Sequence, residues 1–216
     1  MESEPAQQLI SLGQSAMATE TRVLHFTTPM TKDQLSDLRV GDEVWLSGTI
    51  WGVRDASLIR LFDEKIVPDR DFAGHFFLHT APSIRTDENG KVIPVSVGTT
   101  TSMRMDRFTQ GCINQLGGAG IIGKGGLSTN SSAILVKETG VYLSITGGAA
   151  SLETLQIEEI EEIIWEDLMP ECIWKFRVKE LGPLFVTMDS HGESQYKEVM
   201  YVANSNLKKY LSTLGY

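Results

Sequence analysis

The segment VGTTTSMRMD, residues 97–106, concentrates the residue types that could do chemistry. A glycine frees the backbone, four hydroxyl side chains follow it, and Arg104 and Asp106 close the segment. Hydroxyl groups and backbone N–H groups beside a guanidinium form a binding site for a carboxylate or a phosphate. The segment therefore predicts an anion site.

Two shorter segments repeat this pattern. GVRDA (residues 52–56) and IGKGG (residues 122–126) each place one cation, Arg54 or Lys124, among small residues, where a ligand can approach the main chain. Taken singly, such segments have an ordinary explanation as turns and solvated surface pairs. On a chain of net charge −9, the three together predict a cationic pocket in an acidic surface.

Composition bounds the class of protein. The 216 residues, 41% of them hydrophobic, can bury the core of one domain, which we expect over residues 21–216 after a flexible N-terminal tail, residues 1–20. The acidic balance argues against a nucleic-acid partner. No apolar stretch approaches the roughly 20 residues that cross a membrane, and the acidic start lacks the features of a signal peptide. We expect a cytoplasmic protein.

The cysteine count limits the metal chemistry of this chain. Cys112 and Cys172 are well separated and are expected to stay reduced in the cytoplasm. A cubane iron–sulfur cluster is normally held by three or four thiolates, and the histidines add no metal-ligand spacing. Any cluster-dependent reaction therefore requires a cluster on another chain.

The first half of the chain shows the local patterns that must position these segments. Residues 22–50 predict a strand, a short helix, a turn at Gly41-Asp42 and a second strand with alternating apolar residues. A helix is predicted over residues 54–66, and DENG at residues 87–90 indicates a hairpin. Residues 103–116 predict a helix that begins under the hydroxyl run.

The second half is divided by glycines. Leu152 to Ile164 carries apolar residues at helical spacing and predicts an amphipathic helix. The dipeptide Gly182-Pro183 predicts a turn between two strands, and a final helix is predicted over residues 195–213. We expect short apolar strands or turns at residues 119–122, 133–136 and 141–145. We expect strands at residues 173–178 and 183–189.

One motif in this half is misleading. Residues 118–123 satisfy the GxGxxG pattern of dinucleotide-binding proteins. That pattern needs a strand before it and a helix that opens within it, so that the helix N-terminus meets a pyrophosphate. Here a predicted helix precedes the pattern and more glycines follow it. Nucleotide binding is therefore not predicted.

Longer stretches within residues 41–192 resemble the β subunit, or C-terminal domain, of the class I fumarate hydratases and L-tartrate dehydratases. They are GDEVWLSGTIWGVRDAS, VSVGTTTSMRMDRF, IGKGG, YLSITGGAA, QIEEIEEIIWEDLMPECIW and FRVKELGPLFVTMDSHG. The resemblance implies an α/β fold of the swivelling β/β/α type, with mixed sheets around a central open barrel and flanking helices.

The same resemblance implies a hydro-lyase subunit. Such an enzyme reversibly adds or removes water on a small dicarboxylate, as in malate/fumarate or tartrate/oxaloacetate. A 4Fe–4S cluster would be held by a partner α subunit and not by this chain, in an assembly of two α and two β subunits. The alternative is a non-catalytic carboxylate-binding or regulatory protein that retained the anion pocket.

The resemblance also assigns roles to residues. Arg54, Arg104 and Lys124 match substrate-contacting residues, and Thr100 matches the proposed catalytic base. A threonine hydroxyl is a poor base at neutral pH, so a plain hydrogen-bond donor is the other interpretation of Thr100. We expect Asp55 and Asp106 to orient the neighbouring arginines.

Two departures from the family pattern bear on the substrate. The family often has Gly-Pro-Thr-Thr where this chain has Gly98-Thr99-Thr100-Thr101, and often has Ala-His where this chain has Ser57-Leu58. The second change removes a histidine, so the preferred substrate is expected to differ from fumarate.

Overall fold

The computed structural model describes residues 21–213 with the exception of residues 147 and 149. The tail expected at residues 1–20 lies outside the described residues. The regular elements are β1 (Val23–Thr27), α1 (Lys32–Asp37), β2 (Glu43–Val53), α2 (Asp55–Phe62), β3 (Phe76–His79), β4 (Ser83–Thr86), β5 (Val92–Ser96), β6 (Gly120–Gly123), α3 (Thr129–Glu138), β7 (Val141–Ile145), α4 (Ala150–Leu155), β8 (Ile157–Ile164), β9 (Ile173–Met188) and α5 (Gln195–Thr213). Short 3₁₀ segments cover Ser102–Phe108 and Glu166–Glu171, and a π-helical turn covers Gly111–Gln115.

Five strands close into a barrel in the order β2, β3, β6, β7, β9. The first four run parallel to one another, and β9 closes the ring by pairing antiparallel with both β7 and β2. β1 and β8 extend the ladder beside β2 and β9, while β4 and β5 form a separate hairpin. The mixed α/β class and the flanking helices are as expected. The closed ring differs from the expected open barrel because β9 is long enough to reach both edge strands.

Alternation along the strands sends side chains to two separate cores. One set comes from all five barrel strands and fills the interior; it includes Ile50, Phe76, Ile122, Leu143 and Phe176. The neighbouring residues point outward and pack under α2, α3 and the irregular helical region; they include Trp51, Phe77, Ile121 and Tyr142. The barrel is thus a packed body that holds its rims rigidly.

The parallel direction of four strands determines where loops gather. Because β2, β3, β6 and β7 run the same way, their carboxyl ends meet at one rim of the barrel. Arg54 follows β2, Thr80 follows β3, Lys124 follows β6, and α4 follows β7 after a short loop. Loops on a rigid scaffold commonly carry binding and catalytic residues, and this rim carries the predicted segments.

Local patterns predicted several elements correctly. β1, α1 and β2 appear as expected, the DENG turn joins β4 to β5, and α5 covers the predicted final helix. The helix α2 ends at Phe62, four residues earlier than predicted. The helix predicted over residues 103–116 is a succession of 3₁₀ and π turns. The GxGxxG residues lead into β6, so the helix that a dinucleotide site needs does not open there.

Two predictions in the second half are wrong. Residues 133–136 lie within α3, which begins where the Ser128 hydroxyl accepts a hydrogen bond from the Ser131 N–H (3.3 Å). Residues 157–164 form β8 and not a helix. Two bulges each insert one residue into β8, so Ile157, Ile160 and Ile163 all lie on the face that packs against the inner core. Their spacing of three imitates a helical stripe.

The predicted turn at Gly182-Pro183 is also wrong. The chain continues through this dipeptide, whose peptide bond is cis, as the single strand β9. Gln156 replaces strand partners at this point: its side chain accepts from the Gly182 N–H (3.1 Å) and donates to the Gly182 carbonyl (2.7 Å). A side-chain amide from a distant segment therefore keeps the backbone paired.

None of the helices that the structure describes is long and apolar enough to cross a membrane.

Candidate active site

Arg54 is positioned by the start of α2. Its backbone is extended at the N-cap, its N–H donates to the Ser57 hydroxyl (2.9 Å), and that hydroxyl donates to the Arg54 carbonyl (3.0 Å). Leu58 is fully buried in the outer core. The two residues that depart from the family pattern thus have structural work here, since Ser57 fixes the backbone of Arg54 and Leu58 packs beneath it.

Asp55 lies between two arginines. Its Oδ2 atom is 2.5 Å from Nη2 of Arg104 and 3.5 Å from Nε of Arg54. Glu171, just before β9, lies 3.4 Å from the same Nε and also accepts from the Ala56 N–H (2.9 Å). We call Arg54, Asp55, Arg104 and Glu171 the arginine cluster. Sequence reasoning missed Glu171, which no motif singles out and which only the fold brings here.

The two arginines differ in environment. Arg104 projects from the Ser102–Phe108 segment with 48% of its side chain exposed, while Met105 and Phe108 anchor the segment in the outer core. Arg54 is less exposed, and no residue within the described part of the chain accepts a hydrogen bond from its guanidinium. The Arg54 guanidinium is therefore held by two long ion pairs without a hydrogen bond to a described residue, whereas Arg104 donates a hydrogen bond to Asp55.

The threonine run bridges the ends of two barrel strands. Thr99 pairs with Thr80 beyond β3, and Thr101 pairs with Lys124 beyond β6. The Thr100 N–H donates to the His79 carbonyl (2.8 Å), and the Ser102 N–H donates to the Lys124 carbonyl (2.9 Å). These backbone hydrogen bonds bring Thr100 and Lys124 close together on the rim. The ion pairs of the arginine cluster do the same for Arg54 and Arg104.

A buried polar chain supports the run from below. Ser102 Oγ lies 3.0 Å from Nδ1 of His79 and accepts a hydrogen bond from the Tyr142 hydroxyl (2.9 Å). Burial lowers the pKa of His79 to about 4, so its imidazole is neutral at neutral pH. A Cβ atom on Gly123 would lie 1.9 Å from Ser102 Oγ, which explains the first glycine of IGKGG. Neither His79 nor Tyr142 was predicted as part of the site.

Glu153, on α4, is a charged residue that interacts electrostatically with Lys124. Its side chain is 3% exposed, and neither carboxylate oxygen has a hydrogen-bond partner among the residues that the structure describes. The Thr99 amide approaches this carboxyl without completing a hydrogen bond. Burial raises the pKa of Glu153 to about 7, against the opposing attraction of Lys124 and the Thr99 amide. We call Thr99, Thr100, Lys124 and Glu153 the lysine cluster.

Asp106 makes different contacts from those expected. It accepts hydrogen bonds from the Ser128 N–H, the Ser128 hydroxyl and the Ser131 hydroxyl, each at 2.7 Å. Its hydrogen bonds thus go to the start of α3, and not to Arg104 as the sequence suggested. The Asp106 carboxylate therefore fixes the chain immediately after the IGKGG loop.

The thiols do not fit an iron–sulfur cluster. Cys112 and Cys172 are free and buried in different cores. Burial raises the pKa of Cys172 to about 12 and raises that of Cys112 as well, which disfavours the thiolate that a cluster needs. Within the described ranges no three His, Cys, Asp or Glu side chains are grouped as metal ligands.

Comparison with known proteins identifies the family of this chain. The family model for the fumarase C-terminus matches residues 1–199. The L(+)-tartrate dehydratase subunit beta of Escherichia coli K12 is 41% identical over 174 residues, covering 80% of this chain and 86% of that protein.

Two further relatives widen the comparison. A Methanocaldococcus jannaschii protein, provisionally named L(+)-tartrate dehydratase subunit beta, is 33% identical over 79% of this chain and 89% of its own length. A Geobacillus stearothermophilus protein, provisionally named fumarate hydratase class I, is 35% identical over 84% of this chain, but this region is only 35% of that protein. The chain therefore belongs to the fumarase C-terminus family, together with the beta subunits of the L(+)-tartrate dehydratases.

Proposed function

We propose that this chain is the β subunit of an iron–sulfur hydro-lyase that adds or removes water on a small dicarboxylate. The observation that carries the proposal is the shared rim, where backbone pairing and ion pairs gather Arg54, Thr100, Arg104 and Lys124. The hydro-lyase names of the relatives support the reaction class.

Three cations can hold the two carboxylates of such a substrate. A guanidinium can bind a carboxylate through two parallel hydrogen bonds, each worth roughly 1.5–3 kcal/mol. Arg54 is suited to this because its ion pairs with Asp55 and Glu171 are long, at 3.5 and 3.4 Å, and its Nε has no hydrogen-bond partner among the described residues. Arg104 can exchange Asp55 for a substrate carboxylate at little cost, since an exposed ion pair contributes only about 0–1 kcal/mol.

Thr100 is the residue proposed to act on the substrate proton. Its backbone is fixed by His79, and Lys124 stands beside the run. A neighbouring ammonium favours the alkoxide and so lowers the pKa of the hydroxyl, which a base needs before it can take a proton from carbon. The alternative role, in which Thr100 donates a hydrogen bond to the substrate, uses the same position.

The Lewis acid that would bind the substrate hydroxyl is proposed to be a 4Fe–4S cluster on the partner α subunit. The two buried, high-pKa thiols of this chain support that assignment. We propose further that the barrel is the swivelling domain of an assembly of two α and two β subunits. The free cysteines suit a reducing compartment such as the cytoplasm.

The test is reconstitution of the complex. The chain is co-expressed with a candidate partner that carries three well-placed cysteines, the cluster is rebuilt without oxygen, and C4 and C5 hydroxydiacids, including L(+)-tartrate and L-malate, are screened for water loss. We expect activity only in the complex, and a colourless chain without stoichiometric iron when it is purified alone.

Two results would contradict the proposal. About four irons bound per purified chain would assign the cluster to this protein. A stable, cluster-loaded complex that binds dicarboxylates but converts none of them would favour the alternative, a carboxylate-binding or regulatory protein.

A further inference from the structure

Glu153 is the one group of the lysine cluster whose position the proposed roles do not explain. A buried acceptor without a hydrogen bond destabilises the folded state, and a charged one does so more strongly. Both carboxylate oxygens of Glu153 are such acceptors in the described part of the chain, and the residue is only 3% exposed. Such a group is accommodated in a folded protein when a bound ligand supplies the missing hydrogen-bond donors.

The location of Glu153 identifies what could supply them. The Val97 N–H donates to the Thr154 hydroxyl at 2.8 Å, which ties α4 to the chain immediately before the threonine run. The carboxyl group therefore lies by the Thr99 amide and within the electrostatic influence of Lys124. Both neighbours belong to the rim that is proposed to hold the substrate.

We propose that Glu153 is a substrate-contacting residue, whose carboxyl group hydrogen-bonds to a substrate hydroxyl and so selects hydroxylated dicarboxylates. This inference rests on the proposed function, because it concerns the same site. It adds a specificity determinant to the three cations and the threonine.

The chemistry of the substrate decides which of its groups faces Glu153. A substrate carboxylate would be repelled by a second carboxylate and is better held by the cations of the rim. A hydroxyl group can donate to an ionised carboxylate, which forms a charge-assisted hydrogen bond. A site built to bond a hydroxyl discriminates strongly against an analogue without one, because its buried acceptor is then left unpaired. A 2,3-dihydroxy acid offers two donors, one for each free oxygen.

The test compares acids that differ in their hydroxyl groups: succinate with none, L-malate with one and L(+)-tartrate with two. Dissociation constants are measured by calorimetry at pH 8 on the complex prepared without its cluster, and kcat/KM is measured on the reconstituted complex. The variants are Glu153→Gln and Glu153→Ala. Glu158→Gln is the matched control, since Glu158 is an exposed carboxylate on the neighbouring strand β8.

We expect both Glu153 variants to bind tartrate at least about tenfold more weakly, while succinate binding changes by less than about twofold or improves. Glu158→Gln should leave every value unchanged. The inference is overturned if the Glu153 variants bind all three acids as the wild type does, or lose affinity for succinate as much as for tartrate. Circular dichroism identifies a variant that fails to fold, in which case the milder Glu153→Gln decides.

The experiment distinguishes failure of the proposed reaction from failure of the proposed role of Glu153. If the wild-type complex converts no acid, the proposed reaction is wrong, and the binding comparison still tests Glu153. If the wild type is active and the Glu153 variants keep the same preference between malate and tartrate, the role of Glu153 is wrong and the reaction stands.

Discussion

The arginine cluster and the lysine cluster lie on one rim but are built in opposite ways. In the arginine cluster, Asp55 pairs with Arg104 in a setting where each side chain is more than a third exposed. In the lysine cluster, Glu153 is 3% exposed and its oxygens have no hydrogen-bond partner in the described part of the chain. The Asp55–Arg104 pair is hydrogen-bonded and in contact with water, whereas the Glu153 carboxyl has no hydrogen-bond partner in the described part of the chain and is kept away from water.

This difference indicates a division of labour. An exposed ion pair is weak, so a ligand carboxylate can replace its carboxylate partner with little loss. A buried carboxyl beside an ammonium interacts strongly with whatever enters, because little water screens the charges. We therefore expect the arginine cluster to set how tightly a dicarboxylate is held, and the lysine cluster to set the chemistry and the choice of substrate.

The largest effect should follow a change in the lysine cluster. Thr100→Ala should lower kcat by about 10²–10⁴-fold with a smaller change in KM, because it removes the hydroxyl that we propose takes part in proton transfer. Steady-state kinetics on the reconstituted complex measure both constants. Thr100→Ser, which keeps the hydroxyl, should retain most of the activity. A rise in KM without a fall in kcat would mean that Thr100 only binds the substrate.

A smaller effect is expected from the arginine cluster. Arg104→Lys keeps the charge but loses the planar fork, so kcat/KM should fall by about tenfold to several hundredfold, or about 1.4–3.5 kcal/mol. Arg107→Lys is the control, since Arg107 lies on the same segment and forms a bidentate ion pair with Asp63 away from the arginine cluster. Wild-type kinetics for a folded Arg104→Lys complex would contradict the assignment of Arg104.

The smallest effect concerns stability and pH. Glu153 has a pKa of about 7 in the folded chain against an ordinary value of 4.5, so the folded state binds more protons between these values. The free energy of unfolding of the wild type should therefore fall as pH rises from about 4.5 to 7, relative to that of Glu153→Gln. The expected difference is about 1–2 kcal/mol.

Denaturant unfolding at several pH values measures this difference. His79, whose pKa is lowered to about 4, contributes the opposite slope, but it does so in both proteins and cancels. Glu158→Gln serves as the control for loss of a carboxyl group. A difference between wild type and Glu153→Gln that stays constant with pH would show that the pKa of Glu153 is the same in the folded and unfolded states.

The sequence by itself determined the chemical types of the site and the elements with strong local patterns. Arg54, Arg104 and Lys124 could be named because each lies in a short run whose composition suits an anion, and the family resemblance singled out Thr100 within one of these runs. β1, α1, β2 and the β4–β5 hairpin could be predicted because capping residues, alternation and turn chemistry act between near neighbours.

Only the tertiary structure decided which partners these residues have. Glu171 meets Ala56 across 115 positions of sequence, and Arg104 meets Asp55 across 49. The bulges in β8 and the pairing of Gly182 with Gln156 likewise depend on neighbouring segments, which is why the local patterns there predicted a helix and a turn. Glu153 was overlooked for the same reason. Its burial beside Lys124 follows from the order of strands around the barrel, and a one-dimensional pattern reports spacing along the chain but not which strand ends meet at a rim.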